Sequence, residues 1–130
     1  MLIEVNEIHK VTNDIMNVLH EEELQIINDF HDAVVAKDID KIEELFTVLI
    51  ENVEDHFKTE EDMMAQSTHS NFGAHKSDHD LMRKKLAKFK KRWDVLHGPI
   101  EVQGFLEKDF KKWVTAHVAK WDADCALQLQ

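Results

Sequence analysis

Tyrosine is missing from the 130 residues, cysteine and proline occur once each, and glycine occurs three times. Each shortage removes a class of answers. Without tyrosine there can be no tyrosinate ligand and no tyrosyl radical. A lone Cys125 excludes an intrachain disulfide and makes a reducing cytoplasm the simplest setting. One proline and three glycines are too few for the tight turns of a β-sandwich or barrel, whereas Ala, Leu, Glu and Lys are plentiful, which favours helices. Basic residues are outnumbered, 16 against 26 acidic, and the net charge of -10 leaves no footprint for nucleic acid. The best apolar run, "LFTVLI" from Leu45 to Ile50, is far too short to cross a bilayer. The start, "MLIEVNEIHK", lacks the basic and apolar regions of a secretory signal. The expectation is a single cytoplasmic domain over residues 1–130, with no membrane insertion.

Three breaks divide the chain. "AKDID" (Ala36 to Asp40) holds acids suited to capping a helix, and "STHSNFG" (Ser67 to Gly73) is a polar turn. "HGPI" (His97 to Ile100) couples a helix-ending glycine to a proline that suits a helix start. After an N-terminal arm over 1–12, the spacing predicts helices over 13–37, 40–66, 72–96 and 101–127. Each would be about 37 Å long. Similar lengths and short connections predict an all-α fold, an up-down-up-down antiparallel four-helix bundle.

Histidine is the excess: there are nine. Helical periodicity puts several of them on apolar stripes. The third segment's stripe is Phe72, His75, His79, Met82, Leu86, Phe89, Trp93 and Leu96. The second runs Ile42, Leu45, Leu49, Val53, His56, Glu60 and Met63, and the first His20, Leu24, Ile27, His31 and Val34. In the fourth, Leu106, Phe110, Trp113, His117 and Trp121 form the centre, with Val114, Val118 and Asp122 along one edge. Burying a carboxylate or an imidazole without a partner is costly. Counted from the connecting turns, His20, His56 with Glu60, His75 with His79, and His117 with Asp122 gather at one end of the bundle. Asp122 fits least well, because five residues is about 140° around an ideal helix. Asp124 is better aligned with His117 but further away.

Five imidazoles and two carboxylates are too many ligands for one tetrahedral zinc. Two metals bridged by carboxylates would use all seven, and mixed ligation of this kind suits iron, manganese or zinc alike. Among the remaining candidates, His31 reads as a satisfied core or half-buried histidine, with a supporting or secondary metal role as the alternative. His9, His69 and His97 read as solvated, and Glu21, Glu22, Glu61 and Asp62 as exposed. Glu23 could contact the site from the neighbouring turn. Met63 and Met64 read as packing, "RKKLAKFKKR" (Arg83 to Arg92) as an outer helix face, and Cys125 as a packed thiol.

The elements His20, His56-x-x-x-Glu60 ("HFKTE"), His75-x-x-x-His79 ("HKSDH") and His117-x-x-x-x-Asp122 ("HVAKWD") resemble, in order and spacing, the hemerythrins, and the bacterial single-domain form in particular. The resemblance covers most of the chain. It implies two iron ions, oxo- or hydroxo-bridged, with His75, His79 and His117 on one and His20 and His56 on the other. It implies that Glu60 and Asp122 bridge them, which favours Asp122 over Asp124. It also implies that the second iron keeps an open position for dioxygen. Leu24, Ile27 and Trp113, on the inward stripes, are the expected walls of an oxygen pocket. Two stretches depart from the pattern: "MNVLHEEE" (Met16 to Glu23) lacks the Asp that many relatives carry before the first histidine, and "STHSNFG" replaces a Tyr-Pro turn. The function implied is reversible dioxygen binding for storage, delivery or buffering, with no catalytic residues. The alternative is a di-iron enzyme or sensor handling oxygen, peroxide or nitric oxide at the same centre.

Overall fold

The computed structural model describes residues 1–8, 10–66 and 71–128. His9, His69 and most of the polar turn before the third helix lie outside the described residues. Three helices, α1 (Asp14–Val35), α2 (Ile39–Ala65) and α3 (Phe72–Leu96), are followed by a fourth, α4, over residues 99–128. They form an antiparallel four-helix bundle, and no strand occurs among the described residues. None of the helices is long and apolar enough to cross a membrane.

Local chemistry explains where the helices begin. The Asn13 side chain accepts from the Met16 N–H at 3.0 Å, and the Asp38 side chain accepts from Lys41 at 3.3 Å. Pro99 opens α4 behind Gly98, where its missing N–H costs nothing. The end of α3 differs from expectation, because the left-handed residue is His97 (φ 49°) and not Gly98. Gly98 precedes a proline, and that position disfavours helical backbone, so it adopts the extended cap of the next helix (φ -95°). The reversal therefore falls one residue earlier. Leu96, expected on the inward stripe, is 58% exposed for the same reason: it is the last residue of α3.

The core fills the inward faces with Phe30, Val34, Ile42, Phe46, Leu49, Met82, Trp93, Leu106 and Phe110, all nearly inaccessible. Phe30 meets Phe46 with ring centroids 4.9 Å apart, and Phe89 stacks on Phe105 at 4.2 Å. The arm is not loose. Asn28 accepts from the Ile3 N–H (2.9 Å) and donates to the Ile3 carbonyl (3.0 Å), while Asn17 does the same for Val11 (3.0 and 2.8 Å). Each amide thus satisfies both backbone groups of one arm residue, and Leu2, Ile3 and Val11 are buried.

α4 is not a uniform α-helix. Two wider π turns, Phe105–Phe110 and Val118–Asp122, interrupt it. Hydrogen bonding to the fifth residue adds one residue per turn and rotates the rest of the helix around its axis. The stripe expected from a 3.6-residue period is therefore displaced. Val114, Val118 and Asp122, expected at its edge, are buried, while Trp113 and Trp121 are only half-buried.

Lys37 (φ 57°) follows α1 in the left-handed region, with its N–H donating to Val34 and that of Asp38 to Ala33, a Schellman closure that suits glycine. Lys37→Gly is expected to stabilise the fold by about 1 kcal/mol. A rise in the urea midpoint at unchanged slope checks it.

Candidate metal centre

The second π turn decides the centre's geometry. Along an α-helix Asp122 would point away from His117, but the π turn brings Asp122 Oδ1 within 2.9 Å of His117 Nε2. Asp122 is fully buried, whereas Asp124 is only partly buried and bonds Gln128 and Asn71. The remaining site residues follow ordinary α spacing, His56 with Glu60 on α2 and His75 with His79 on α3, and His20 faces them from α1. All seven side chains named from the sequence are buried.

They fall into two overlapping groups. Glu60, His75, His79, His117 and Asp122 place one ligand atom each within 4.8 Å of one another, and so do His20, His56, Glu60 and Asp122. Each carboxylate divides its oxygens between the groups. Glu60 turns Oε1 to His79 (3.1 Å) and His75 (3.6 Å), and Oε2 to His56 (2.6 Å) and His20 (3.8 Å). Asp122 turns Oδ1 to His75 and His117 (2.9 Å each) and Oδ2 to His20 (2.8 Å).

The far side of the histidines explains why those inner atoms need a cation. The Nδ1–H of His79 donates to Glu61 (2.8 Å), that of His117 to Asp78 (2.6 Å), and that of His56 to Glu23. A neutral imidazole with its proton on Nδ1 has only a lone pair on Nε2. Yet His79 and His117 face each other through Nε2 at 3.1 Å, and His75 and His117 at 3.2 Å. Glu60 Oε1, 3.1 Å from His79 Nε2, makes no hydrogen bond. Lone pairs facing lone pairs in a dry interior repel unless positive charge lies between them. The donor set fits metal ions, with carboxylates fixing the tautomers from outside.

The electrostatics show the same demand for positive charge at the centre, which protons on the imidazoles meet where no metal is bound. Burial lowers the pKa of His20, but Asp122 and Glu60 outweigh it and raise the imidazole to about 9. His75, depressed by burial but held by Asp122, Cys125 and Glu60, is pushed up to about 11. Burial lifts Glu60, yet His56, His20 and His75 draw it well below the usual carboxylate range. Asp122, lifted by burial and by Glu60, is drawn below that range by His117 and His20.

Packing holds the rings still. Phe57 stacks on His79 with centroids 4.0 Å apart and 5° between planes, and Trp113 stacks on His117 at 4.4 Å and 17°. Beside His20 lies a void of about 10 Å³ lined by Ile8, Glu23, Leu24, Ile27, Val114 and Val118, roughly the room one water needs. A wider cavity of about 300 Å³ shares Ile8, His20 and Leu24 with it and reaches the surface beside Asn6 and Lys10. Leu24 and Ile27 therefore line the void, while Trp113 lies against His117 instead.

Three residues escaped the sequence reading. Glu61, expected in water, is held against His79 by Arg83, whose Nη1 donates to it at 2.7 Å. Arg83 in turn does not point outward with the rest of its basic run, because Glu54, Glu61 and Asp80 draw it across to α2 and over the Phe57 ring. Asp78 accepts from both His117 and Trp113 Nε1 (3.3 Å). The available signals were small: Asp78 directly precedes His79, and Arg83 lies one turn beyond it. His31 meets Glu107 at 3.3 Å, away from the cluster.

Fold and site together define a class: a four-helix bundle with a buried cluster of histidines and carboxylates at one end, built to hold cations. The chain belongs to the hemerythrin family, since residues 6–125 match the hemerythrin HHE cation-binding domain. It is 39% identical over 129 residues to a bacteriohemerythrin of Aquifex aeolicus, covering 99% of this chain and 98% of that one. A bacteriohemerythrin of Methylococcus capsulatus is 28% identical over 103 residues, with 79% and 77% covered. A crystal structure of wild-type hemerythrin superposes with a TM-score of 0.81 at 26% identity, covering 88% of this chain and 87% of that one.

The raised imidazoles set a pH dependence for protein stripped of metal by chelation. A histidine raised from 6.5 contributes its stability fully below that value and loses it as pH climbs through the folded-state pKa, about 9 for His20 and about 11 for His75. The chelated protein is expected to melt at a lower temperature at about pH 10 than at about pH 7. The metal-loaded protein should lose less, because a ligated Nε2 carries no proton to give up. Scanning calorimetry of both forms at the two pH values checks it.

Proposed function

We propose that the chain is a non-haem di-iron protein that binds dioxygen reversibly. The observation that carries this reading is the division of Glu60 and Asp122 between two histidine groups. In it, His75, His79 and His117 would hold one iron and His20 and His56 the other, with Glu60 and Asp122 shared between them. The metal could also be manganese or zinc by ligand type alone; membership of the hemerythrin family favours iron. Bound there, two irons would supply the pair of electrons that reversible dioxygen binding requires.

The protein's own part is placement and exclusion. Fewer histidines serve the second group, which leaves it room for an external ligand, and the small void adjoins its His20. Leu24, Ile27, Val114 and Val118 keep that void largely apolar, which disfavours water and free protons. Glu61 and Asp78 keep His79 and His117 in the ligating tautomer. One feature favours the enzymatic alternative: Glu23 puts a carboxylate into a wall otherwise made of His20 and aliphatic side chains.

Anaerobically reduced, iron-loaded protein is expected to develop a visible charge-transfer band on exposure to oxygen and to lose it on degassing. Rapid irreversible oxidation with turnover of peroxide would replace the carrier reading with the enzymatic one. Metal analysis should give about two irons per chain in the wild type and a marked loss in His79→Ala. Zinc alone, or no metal after expression with ample iron, would contradict the reading.

A further inference from the structure

Three carboxylates back the histidines, and they differ in company. Glu61 is paired with Arg83, and Asp78 takes a second donor from Trp113. Glu23 has no such support. Its side chain is 6% exposed, and among the described residues its one hydrogen-bond partner is Nδ1 of His56, through Oε2. Burying a carboxylate on a single hydrogen-bond partner is costly, so a leucine here would suit the fold better. Among the described residues Glu23 is also the only acidic one lining the void, whose other walls are His20 and five aliphatic side chains. His20, the other nitrogen donor of that group, has no partner on its Nδ1 among the described residues.

Resting on the two-metal reading, we infer that Glu23 is a specificity-determining residue of the centre. Through Oε2 it anchors His56, and its charge makes one wall of the ligand void negative and hydrogen-bond accepting. The void thereby selects neutral small ligands, or ligands carrying an O–H or N–H, over free anions. The physical reason is proximity in a dry site. A second negative charge bound beside a buried carboxylate at the edge of this void meets little screening, whereas a neutral diatomic meets none of that repulsion. A ligand with its own hydrogen can donate to the oxygen that His56 leaves free.

Azide and zinc serve as probes. Glu23→Gln keeps an oxygen to accept from His56 but removes the charge. Iron-loaded, oxidised Glu23→Gln is expected to bind azide more tightly by on the order of tenfold, at unchanged iron content, in a titration followed by visible spectrum and calorimetry. Glu23→Leu removes the anchor as well. Its affinity for zinc at the weaker of the two sites should drop by about 10–100-fold in chelator competition, a readout independent of oxygen. Glu22→Gln, the same charge change on an exposed neighbour, should alter neither value. Wild-type azide affinity in Glu23→Gln overturns the proposal, as does an equal gain in Glu22→Gln or unchanged zinc affinity in a folded Glu23→Leu. A wild-type chain that binds fewer than two metal ions overturns the two-metal reading and this inference with it, and metal analysis alone distinguishes that failure.

Discussion

The facing of unprotonated nitrogen and oxygen atoms inside the bundle is the constraint on which the rest depends. His75, His79 and His117 turn Nε2 toward one another and toward two carboxylates, and an Nδ1 proton held by Glu61 or Asp78 leaves a neutral His79 or His117 only a lone pair on the inner side. A core does not tolerate this arrangement by itself. Positive charge at the centre relieves it, and the surroundings are organised to receive that charge. Stacked rings fix the imidazole planes, outer carboxylates fix the tautomers, and buried aliphatics keep water away.

The same constraint accounts for the irregular fourth helix. A straight α-helix cannot present His117 and the residue five positions later to one centre. The π turn between them gives up regular hydrogen bonding to do so. The cost falls on one element, while α1, α2 and α3 remain regular, with the site residues of α2 and of α3 spaced one turn apart. Tertiary packing of the helices below the centre, around Phe30, Phe46 and Trp93, provides the rigidity that lets the bundle keep this irregularity.

The ligand end also meets the outside under control. The N-terminal arm, clamped by Asn28 and Asn17, brings Ile8 over the space beside His20. Beyond it a wider cavity opens toward Asn6 and Lys10. On the other flank, Arg83 ties Glu54, Glu61 and Asp80 into a network that ends on His79, so the three-histidine side is braced from the surface inward. The two-histidine side has only Glu23 and the arm. In the proposed two-metal reading, that asymmetry would separate a held metal position from one open to ligands.

Periodicity and composition made the four helices legible, because amphipathic stripes and capping residues are local properties that a linear chain displays. Histidine and glutamate at one-turn spacing on α2 and α3 belong to the same class, and antiparallel counting placed their levels. The sequence alone thus determined the bundle and the end at which its polar core residues meet. Other features were not local. Whether Asp122 or Asp124 turned inward depended on a π turn that the hydrophobic pattern does not encode, and only likeness to a family pointed to Asp122. The buried edge of α4, the left-handed His97, and the partners Glu61, Asp78 and Arg83 were decided by tertiary structure, whereas the contact of Glu23 with the site was already expected from its place one turn from His20. A side chain's hydrogen-bond partner depends on which helix packs beside it and at what rotation. Those are properties of the assembled bundle, set when four stripes bury one another.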